Sequence, residues 1–554
     1  MGLHARLVAV AGLCLSPLAP LSVRLGNLQV MQHSRIESQV AGEVLRNTAE
    51  SLDRADILDR RGRPLAQSAP FWSCFAERDR AAARPGLARV LAKALGLPEA
   101  EVRRRLQVRK RFPVIKEELS AAEVAALSEA RLDNKKLVEH GIGVELHHKR
   151  SYPNSDLARS VLGKVGTEQN GLTGLELTFN ERLKGRPRRV EYVRDGSGRA
   201  IYLSTEGSLD APQPLRLTLD RDVQFHAEEV LREAASEFKA KGGMVVVLDP
   251  DTAEVLAMAA VPSTPLKNPV IQDTYEPGST FKLVTAASAL DGAAVSEQDT
   301  FFCENGLYQV SPGVFIHDHE PAGRLTVQGI LERSSNIGAA KLVEKVGAMR
   351  FYRTSRAFGF DIKTGISLPG ETAGEMKPLE QLTRVVMAAS SYGYGIGVSA
   401  LQVANAYNAV ANGGTLYEPS IVDPGRAPSE VRRVVSPATA SALSRMLESV
   451  VERGTGVSAR IPGYRVAGKT GTARKLDPRT KEYSTSAYMA SFVGFLPVQR
   501  PRWTILVVID EPKGQYYGAQ VAAPVFAKLG RRLLALAGVP PDPPAAPAAA
   551  GARP

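Results

Sequence analysis

Ser279 and Lys282 stand three residues apart at the start of an apolar run, Leu283 to Leu290, that is typical of a helix. Residues three apart share one face of a helix, so the Lys282 amine can reach the Ser279 hydroxyl. The free backbone amides of a first helical turn also favour developing negative charge. The spacing predicts a serine nucleophile with a lysine partner. It is weak evidence alone, because Ser236 and Lys239 repeat it inside an amphipathic segment, where we interpret it as structural.

Two more motifs follow Ser279 in order along the chain. Ser334-Ser335-Asn336 begins 55 residues after Ser279, and Lys469-Thr470-Gly471-Thr472 begins 190 residues after it. A Ser-x-x-Lys, a Ser-x-Asn and a Lys-Thr-Gly element form the set shared by penicillin-binding proteins and class A β-lactamases. Another Lys-Thr-Gly, Lys363 to Gly365, has a loop-like context, and we interpret it as a turn.

With these motifs the chain resembles a class B penicillin-binding protein, a peptidoglycan D,D-transpeptidase. In the carboxyl half the resemblance is carried by Tyr275 to Lys282, Ser334 to Gly338, Leu368 to Glu371, Gly393 to Gly395, Asn412 to Gly414, Lys469 to Ala473, Ala490 to Phe495 and Ala522 to Phe526. In the amino half it is carried by Leu28 to Val30, Ile57 to Gly62, Arg150 to Pro153 and Gly171 to Glu176. The Asn of Ser334-Ser335-Asn336 and the Ala490 to Gly494 run are more similar to the division type than to the elongation type.

The resemblance implies a mixed α/β (α+β) fold. Its transpeptidase domain is expected to hold a five-stranded antiparallel sheet flanked by helices, preceded by a β-rich pedestal and one N-terminal transmembrane helix. We place the membrane anchor at residues 1–31, the pedestal, or dimerisation-like domain, at 32–214, and the transpeptidase domain at 215–538. Residues 539–554 are almost all Pro and Ala, which predicts a disordered tail.

The resemblance also implies a mechanism. Ser279 attacks the carbonyl between the two terminal D-alanines of a peptidoglycan stem peptide, and an amine of a neighbouring stem resolves the acyl-enzyme into a crosslink. Lys282 is the implied base, and burial together with the charge of Lys469 is expected to lower the pKa of its amine. Ser334 relays a proton to the leaving amine. Asn336 either binds the stem-peptide backbone or positions Lys282.

Lys469 to Thr472 supply the implied substrate contacts. Lys469 and Thr470 bind the terminal carboxylate, Gly471 and Thr472 are further substrate-binding residues, and the backbone amides of Ser279 and Thr472 form the oxyanion hole. No metal, histidine or cofactor takes part. β-Lactams mimic the terminal dipeptide and are expected to acylate Ser279. The other implied partners are the membrane, a lipid II polymerase of the SEDS family and further division proteins.

The amino end bears on the compartment. Leu7 to Val23 is an uncharged, mostly apolar stretch of 17 residues interrupted by prolines, which makes it a borderline membrane span. An uncleaved signal anchor and a cleaved signal peptide both fit it. We favour the anchor, because Leu25 to Val30 continue apolar without a clear cleavage site. Either outcome puts the bulk outside the cytoplasm, and we expect a single-pass protein of the bacterial inner membrane.

Two other functions compete with this interpretation. Gly463 to Thr470 matches the spacing of a phosphate-binding loop, and Ile505 to Ile509 followed by Asp510-Glu511 resembles its acidic partner strand. Such a loop needs a strand before it and a helix after it, but Pro462 precedes it and Pro478 follows, so nucleotide binding is disfavoured. A non-catalytic cell-wall scaffold is also disfavoured, because a dead homologue more often loses one motif.

The amino-acid composition and charge exclude further classes of function. The 554 residues are 44% hydrophobic and 23% charged, which is typical of a folded chain of several domains. A net charge of +12 could favour nucleic acid, but the basic residues are not interleaved with aromatics and no zinc-finger spacing is present. Cys14, Cys74 and Cys303 cannot form a disulfide framework and lack metal-site spacing. Nucleic-acid binding and metal chemistry are therefore disfavoured.

The elements around the motifs are also indicated by the sequence. A helix is predicted from a cap at Thr218 or Asp220 to Lys239, followed by strands at Met244 to Leu248 and Glu254 to Ala260. Helical and strand patterns then alternate, as in one large α/β domain.

The amino half is basic, polar and broken by turn signals. Ala121 to Lys136 has helical periodicity, and we predict a helix there. Asp59 to Gly62 and Asp195 to Gly198 are typical of hairpin turns between extended segments. No chemistry is visible in this half.

Overall fold

The computed structural model describes residues 18–35, 45–49, 53–81, 84–166, 169–185, 189–194, 200–206, 211–292, 294–477, 479–480 and 482–542, with isolated residues before Leu18. It divides into two compact units, Met1–Asp53 with Lys184–Gln213, and Arg54–Leu183 with Pro214–Pro554. The predicted turn at Asp195 to Gly198 and most of the predicted tail lie outside the described residues.

The strands are numbered in chain order: β1 (Leu45–Ala49), β2 (Ile57–Leu58), β3 (Pro64–Ala76), β4 (Val114–Leu119), β5 (Arg131–Leu132), β6 (Lys135–Lys136), β7 (Ile142–Ser151), β8 (Arg189–Arg194), β9 (Ala200–Glu206), β10 (Leu215–Arg216), β11 (Gly242–Leu248), β12 (Val255–Val261), β13 (Thr300–Phe302), β14 (Leu307–Ser311), β15 (Val314–His317), β16 (Arg324–Thr326), β17 (Thr415–Tyr417), β18 (Glu430–Arg433), β19 (Ala467–Leu476), β20 (Tyr483–Leu496) and β21 (Trp503–Asp510).

The α-helices are α1 (Leu18–Gly26), α2 (Arg78–Ala81), α3 (Leu87–Leu95), α4 (Glu99–Leu106), α5 (Ala121–Glu129), α6 (Arg159–Leu162), α7 (Gly174–Thr178), α8 (Asn180–Lys184), α9 (Arg221–Glu237), α10 (Pro269–Gln272), α11 (Lys282–Leu290), α12 (Val327–Glu332), α13 (Asn336–Val346), α14 (Ala348–Ala357), α15 (Arg384–Ser391), α16 (Ala400–Ala411), α17 (Pro437–Arg453) and α18 (Gly518–Leu536). Shorter 3-10 helices span Leu137–His140, Gly278–Phe281, Glu304–Gly306, Leu379–Gln381 and Val457–Ala459, and Asn27–Met31 is a π-helical turn.

The first unit contains α1, the π-helical turn and an antiparallel sheet in the order β1-β8-β9. β8 pairs with β9 from Arg189–Glu206 to Arg194–Ala200. In the part of the chain that the structure describes, no helix is long and apolar enough to cross a membrane, and much of the predicted span from Leu7 to Val23 lies outside the described residues. The predicted transmembrane helix is therefore not seen.

The amino part of the second unit is built on β3. β2, β3 and β4 lie in one sheet with β10, and β7 pairs with β3 from Gln67–Ser151 to Ala76–Ile142. The predicted turn joins β2 to β3, where the Asp59 carboxylate accepts hydrogen bonds from the Arg61 and Arg63 amides. Asp closes turns of this kind with its side chain.

The predicted helix over Ala121 to Lys136 was too long. α5 ends at Glu129, and β5 and β6 form a short antiparallel hairpin after it. Asp133 and Asn134 connect the two strands with φ of 50° and 63°. Asp and Asn tolerate this left-handed conformation, so turn chemistry overrides the helical periodicity of the apolar residues.

The central sheet of the second unit is antiparallel in the order β12-β11-β21-β20-β19. Side chains alternate across a strand. In β11, Val245 and Val247 join one apolar cluster, while Met244, Val246 and Leu248 join the cluster on the opposite face. Because both faces are buried, the strand is a continuous apolar run in the sequence.

Helices cover both faces of this sheet. α9 and α18 pack on the face of Val245, and α11, α13, α16 and α17 contribute to the cluster on the face of Met244. α9 begins at one of its two predicted caps, since the Asp220 carboxylate accepts a hydrogen bond from the Asp222 amide. The result is the mixed α/β arrangement that the sequence predicted.

Candidate active site

Ser279 lies on a rigid turn. It belongs to the 3-10 helix Gly278–Phe281, which leads directly into α11. Gly278 has a φ of +54°, a conformation that favours glycine, and its amide donates to the Gly393 carbonyl oxygen at 3.2 Å. The buried Tyr407 hydroxyl donates to the Thr280 carbonyl oxygen at 2.8 Å. Contacts with the core therefore fix the position of the candidate nucleophile.

The Lys282 amine stands at the centre of a polar cluster, although its side chain is only 1% exposed. Lys282 Nζ is 3.0 Å from Ser279 Oγ and 2.8 Å from Asn336 Oδ1. It is 2.5 Å from the Ser334 carbonyl oxygen and 3.2 Å from Ser334 Oγ. The structure thus brings the first two predicted motifs into direct contact.

Ser334-Ser335-Asn336 forms the entrance to α13. Ser334 has a φ of +56°, which is uncommon for a residue other than glycine. Ser335 is the N-cap of α13, and its hydroxyl accepts a hydrogen bond from the Gly338 amide at 2.8 Å. The left-handed conformation of Ser334 lets both Ser334 and Asn336 contact Lys282, while Ser335 caps α13.

Lys469 belongs to β19, at the edge of the central sheet. Its side chain is fully buried, and Nζ lies 3.0 Å from Ser334 Oγ. The Ser334 hydroxyl therefore stands between the amines of Lys282 and Lys469, within hydrogen-bond distance of both.

The next three residues of β19 each contact a neighbouring part of the site. Thr470 Oγ1 lies 3.3 Å from Lys469 Nζ and 2.9 Å from Thr455 Oγ1. An added Cβ at Gly471 would lie 2.9 Å from the Pro277 carbonyl oxygen. The strand β19 and the Ser279 turn are therefore in contact at this point. Thr472 Oγ1 accepts a hydrogen bond from the first amide of α18 at 2.9 Å.

Burial without a hydrogen-bonded carboxylate perturbs both amines. Burial lowers the pKa of Lys282 well below its usual value, the charge of Lys469 lowers it further, and Asp318 opposes the shift. Burial lowers the pKa of Lys469 to about 7. A lysine can act as a general base only while its amine is neutral, and burial makes the neutral form accessible at physiological pH.

Copies of the motifs elsewhere in the chain make no such cluster. Ser236 and Lys239 are exposed at the end of α9. Lys363 to Gly365 lies in a loop, where the Thr364 amide donates to the Glu371 carboxylate. The phosphate-loop alternative is wrong, because the residues after Lys469 continue as β19 and present no helical N-terminus.

Sequence reasoning missed two residues beside the site. The Asp318 carboxylate accepts hydrogen bonds from the Asn336 amide at 2.6 Å and the Ile337 amide at 3.0 Å. Thr455 contacts Thr470 through its hydroxyl. Both come from loops between regular elements and belong to no motif, so no local pattern in the sequence marks them.

A cavity of about 1030 Å³ opens beside the Ser279 turn. Tyr275, Glu276, Arg474 and Tyr483 are among the residues that line it. The Tyr483 hydroxyl donates to Glu276 Oε1 at 2.9 Å, which ties the start of β20 to the segment before Ser279. The cavity has room for a polar chain, but Ser279, Lys282, Ser334 and Lys469 are not among its lining residues.

The chain matches known families along most of its length. Residues 243–530 match the penicillin binding protein transpeptidase domain, and residues 50–213 match the penicillin-binding protein dimerisation domain. Peptidoglycan D,D-transpeptidase FtsI of Escherichia coli is 30% identical, over 97% of this chain and 92% of its own. Stage V sporulation protein D of Bacillus subtilis is 31% identical, over 94% of this chain and 84% of its own.

Solved structures agree with this match. A peptidoglycan synthetase from Bifidobacterium adolescentis has a TM-score of 0.71 at 26% identity, covering 91% of this chain and 98% of its own. Penicillin binding protein 3 from Mycobacterium tuberculosis, complexed with ampicillin, has a TM-score of 0.68 at 26% identity, covering 91% of this chain and 99% of its own. The predicted family is confirmed: the chain belongs to the class B penicillin-binding proteins, the serine-type peptidoglycan D,D-transpeptidases.

Proposed function

We propose that this protein crosslinks peptidoglycan stem peptides with Ser279 as nucleophile, Lys282 as general base and Ser334 as proton relay. The hydrogen bonding of the Lys282 amine carries the proposal. The Ser334 carbonyl oxygen and Asn336 Oδ1 can only accept, so a neutral amine directs its two N–H groups at them. Its lone pair then points toward Ser279 Oγ at 3.0 Å, as a base requires.

The orientation of Asn336 supports this assignment. Its Nδ2 donates to the His317 carbonyl oxygen at 3.1 Å, which leaves Oδ1 to accept from Lys282. Asn336 therefore acts at least as an acceptor that turns the lone pair of Lys282 toward Ser279. This is the positioning role that the family resemblance implied as one of two.

Acylation follows from this arrangement. Ser279 Oγ attacks the carbonyl carbon of the penultimate D-alanine while its proton passes to Lys282. The tetrahedral intermediate collapses when the C–N bond breaks, and the leaving amine of the terminal D-alanine takes a proton through the Ser334 hydroxyl. An amine of a neighbouring stem then attacks the ester, forms the new amide bond and returns a proton to Ser279 Oγ.

Lys469 and Thr470 are the proposed ligands of the terminal carboxylate. Lys469 supplies charge, and the Thr470 hydroxyl lies beside its amine. The backbone amides of Ser279 and Thr472 form the proposed oxyanion hole, with each donor contributing about 3–4 kcal/mol to the transition state. The contact of Gly471 with the Ser279 turn supports this pairing, since it brings the two backbones together.

We propose that β-lactams acylate the same serine as the donor stem peptide. Ampicillin and aztreonam are bound in structures of penicillin binding protein 3 from Mycobacterium tuberculosis. A β-lactam presents an amide carbonyl and a carboxylate in one small molecule. Ser279 and Lys469 offer the nucleophile and the cation that such a molecule requires.

The proposed setting is septal wall synthesis at the bacterial inner membrane, with residues 1–31 as the anchor and a SEDS-family lipid II polymerase as partner. The similarity to FtsI and the Ser334-Ser335-Asn336 sequence favour the division role. Depletion in cells tests it. Filamentous cells are expected, and rounded cells would indicate the elongation role instead.

Labelling of the full chain in detergent with a fluorescent penicillin tests the chemistry. We expect a covalent band from the wild type and none from Ser279→Ala. Ser236→Ala is the matched control, because it removes the serine of the exposed Ser-x-x-Lys copy, and it should label like the wild type. A band retained in Ser279→Ala would place the nucleophile elsewhere.

A further inference from the structure

Asp318 follows β15 and meets the entrance of α13 from outside the three motifs. Its Oδ2 accepts a hydrogen bond from Ser335 Oγ at 2.5 Å. Its Oδ1 accepts from the backbone amides of Asn336 at 2.6 Å and Ile337 at 3.0 Å. One carboxylate thus binds the middle residue of the Ser-Ser-Asn element and the first two amides of α13.

The element that Asp318 holds is under strain. The left-handed conformation of Ser334 is unfavourable for a residue other than glycine and persists only where neighbouring contacts enforce it. Ser335 completes a hydrogen-bond chain from Asp318 to the Gly338 amide. These bonds keep the Ser334 carbonyl oxygen at 2.5 Å from Lys282 Nζ. Losing Asp318 would release the constraint that keeps both acceptors of Lys282 in place.

The same carboxylate also faces Lys282 electrostatically. Lys469 on β19 lowers the pKa of Lys282, and Asp318 is the acidic group that raises it. Cys303, before the Glu304–Gly306 turn, is the titratable group behind Ser335, and burial raises the pKa of its thiol, so it stays neutral. Two charged residues therefore act on the pKa of Lys282: Lys469 lowers it and Asp318 raises it.

We propose that Asp318 is a positioning residue for acyl transfer, which holds the Ser334-Ser335-Asn336 element against Lys282 and places a fixed negative charge beside it. This inference rests on the proposed function of Ser279. Asp318 touches neither the substrate nor the reacting atoms. It acts through Lys282, by fixing its acceptors and by limiting how far its proton affinity falls.

Two variants separate the charge from the hydrogen bonds. Asp318→Asn keeps an acceptor for the Asn336 and Ile337 amides but removes the charge. The rising limb of the acylation rate against pH should move to lower pH by about one unit, because the opposing charge near Lys282 is lost. Ser335→Ala keeps the charge but breaks the bond to Asp318. Its maximal acylation rate should fall about tenfold, while the pH at which the rate rises should stay the same.

The measurement is the second-order rate of fluorescent-penicillin acylation of the full chain between pH 5 and 9, with thermal unfolding of each variant. Glu320→Gln removes an exposed carboxylate two residues away and should leave the profile unchanged. A limb that stays in place in Asp318→Asn overturns the electrostatic role. A maximal rate equal to wild type in Ser335→Ala overturns the positioning role. Label on Ser279→Ala in the same series would instead overturn the proposed nucleophile.

Discussion

The protein buries two pairs of cationic side chains and surrounds them in opposite ways. In the β3 region, Arg54 and Arg150 each bind the carboxylate of Glu176 at 2.6 Å, and all three side chains are at most 1% exposed. In the active site, Lys282 and Lys469 are buried as deeply. Their amines contact hydroxyl, carbonyl and amide oxygens, and no carboxylate is among the hydrogen-bond partners that the structure describes.

The partner decides what burial does to a cation. Arginine stays charged in proteins, and the bonds of Glu176 offset part of the cost of desolvating two guanidinium groups. The unpaired lysines instead respond to burial with lowered pKa values, because their charged forms are disfavoured. Burial against a hydrogen-bonded carboxylate therefore gives a structural ion pair, whereas burial without one, even with the Asp318 charge nearby, leaves an amine of lowered pKa.

The largest effect is expected from Lys282→Met. Without the base, the acylation rate should fall about 10³- to 10⁴-fold. The thermal unfolding midpoint should not fall, since the variant removes an amine whose burial is unfavourable. Stopped-flow labelling with a fluorescent penicillin and a thermal scan check both statements. Lys239→Met is the control in the exposed copy, and acylation retained by Lys282→Met would assign the base to another group.

The opposite outcome is expected from Glu176→Gln. It leaves two buried guanidinium groups without counter-charge, which should lower the free energy of unfolding by about 3 kcal/mol. The acylation rate of the folded protein should stay within error of the wild type, because Glu176 is not part of the active site. Denaturant titration and labelling measure the two quantities. An unchanged unfolding midpoint would show that hydrogen bonds, not charge, hold Arg54 and Arg150.

The three motifs could be predicted because each is a local pattern with its own chemistry. Ser279 and Lys282 face each other on one helical turn, as their spacing indicated, and the family was confirmed. The cap at Asp220 and the turn at Asp59 to Gly62 were also confirmed, since a side chain there bonds its own backbone. Hydrogen bonds between residues close in the sequence can be predicted from local patterns.

Long-range contacts of residues outside the motifs could not be predicted. Arg54 and Glu176 are 122 residues apart, and Arg150 reaches Glu176 across 26 residues. Asp318 contacts the Ser-Ser-Asn element from the end of a separate hairpin. No local sequence pattern around Glu176 or Asp318 indicates their partners. Only the folded backbone brings these residues together. The family and the contact between Ser279 and Lys282 were therefore predictable, whereas the contacts of Asp318 and Glu176 were not.

The comparison also predicts how stability depends on pH. Lys469 has a pKa of about 7 in the fold and 10.5 as its usual value, so the folded state binds fewer protons between these limits. The free energy of unfolding of the wild type, minus that of Lys469→Met, should therefore rise with pH between pH 7 and 10.5, at about 1 kcal/mol per pH unit. The difference between wild type and Glu176→Gln should stay flat over the same range. Equal slopes would mean that Lys469 stays charged when buried.

The smallest effect is expected at Thr455, which separates hydrogen bonding from charge within the active site. Its hydroxyl lies 2.9 Å from Thr470 Oγ1 and carries no charge. Thr455→Val should slow acylation about fivefold, the value of one neutral hydrogen bond. Its pH profile should not move, because the charges around Lys282 are unchanged. Thr455→Ser should restore the rate, and a shifted profile in Thr455→Val would show that neutral neighbours as well as charges set the protonation of the two lysines.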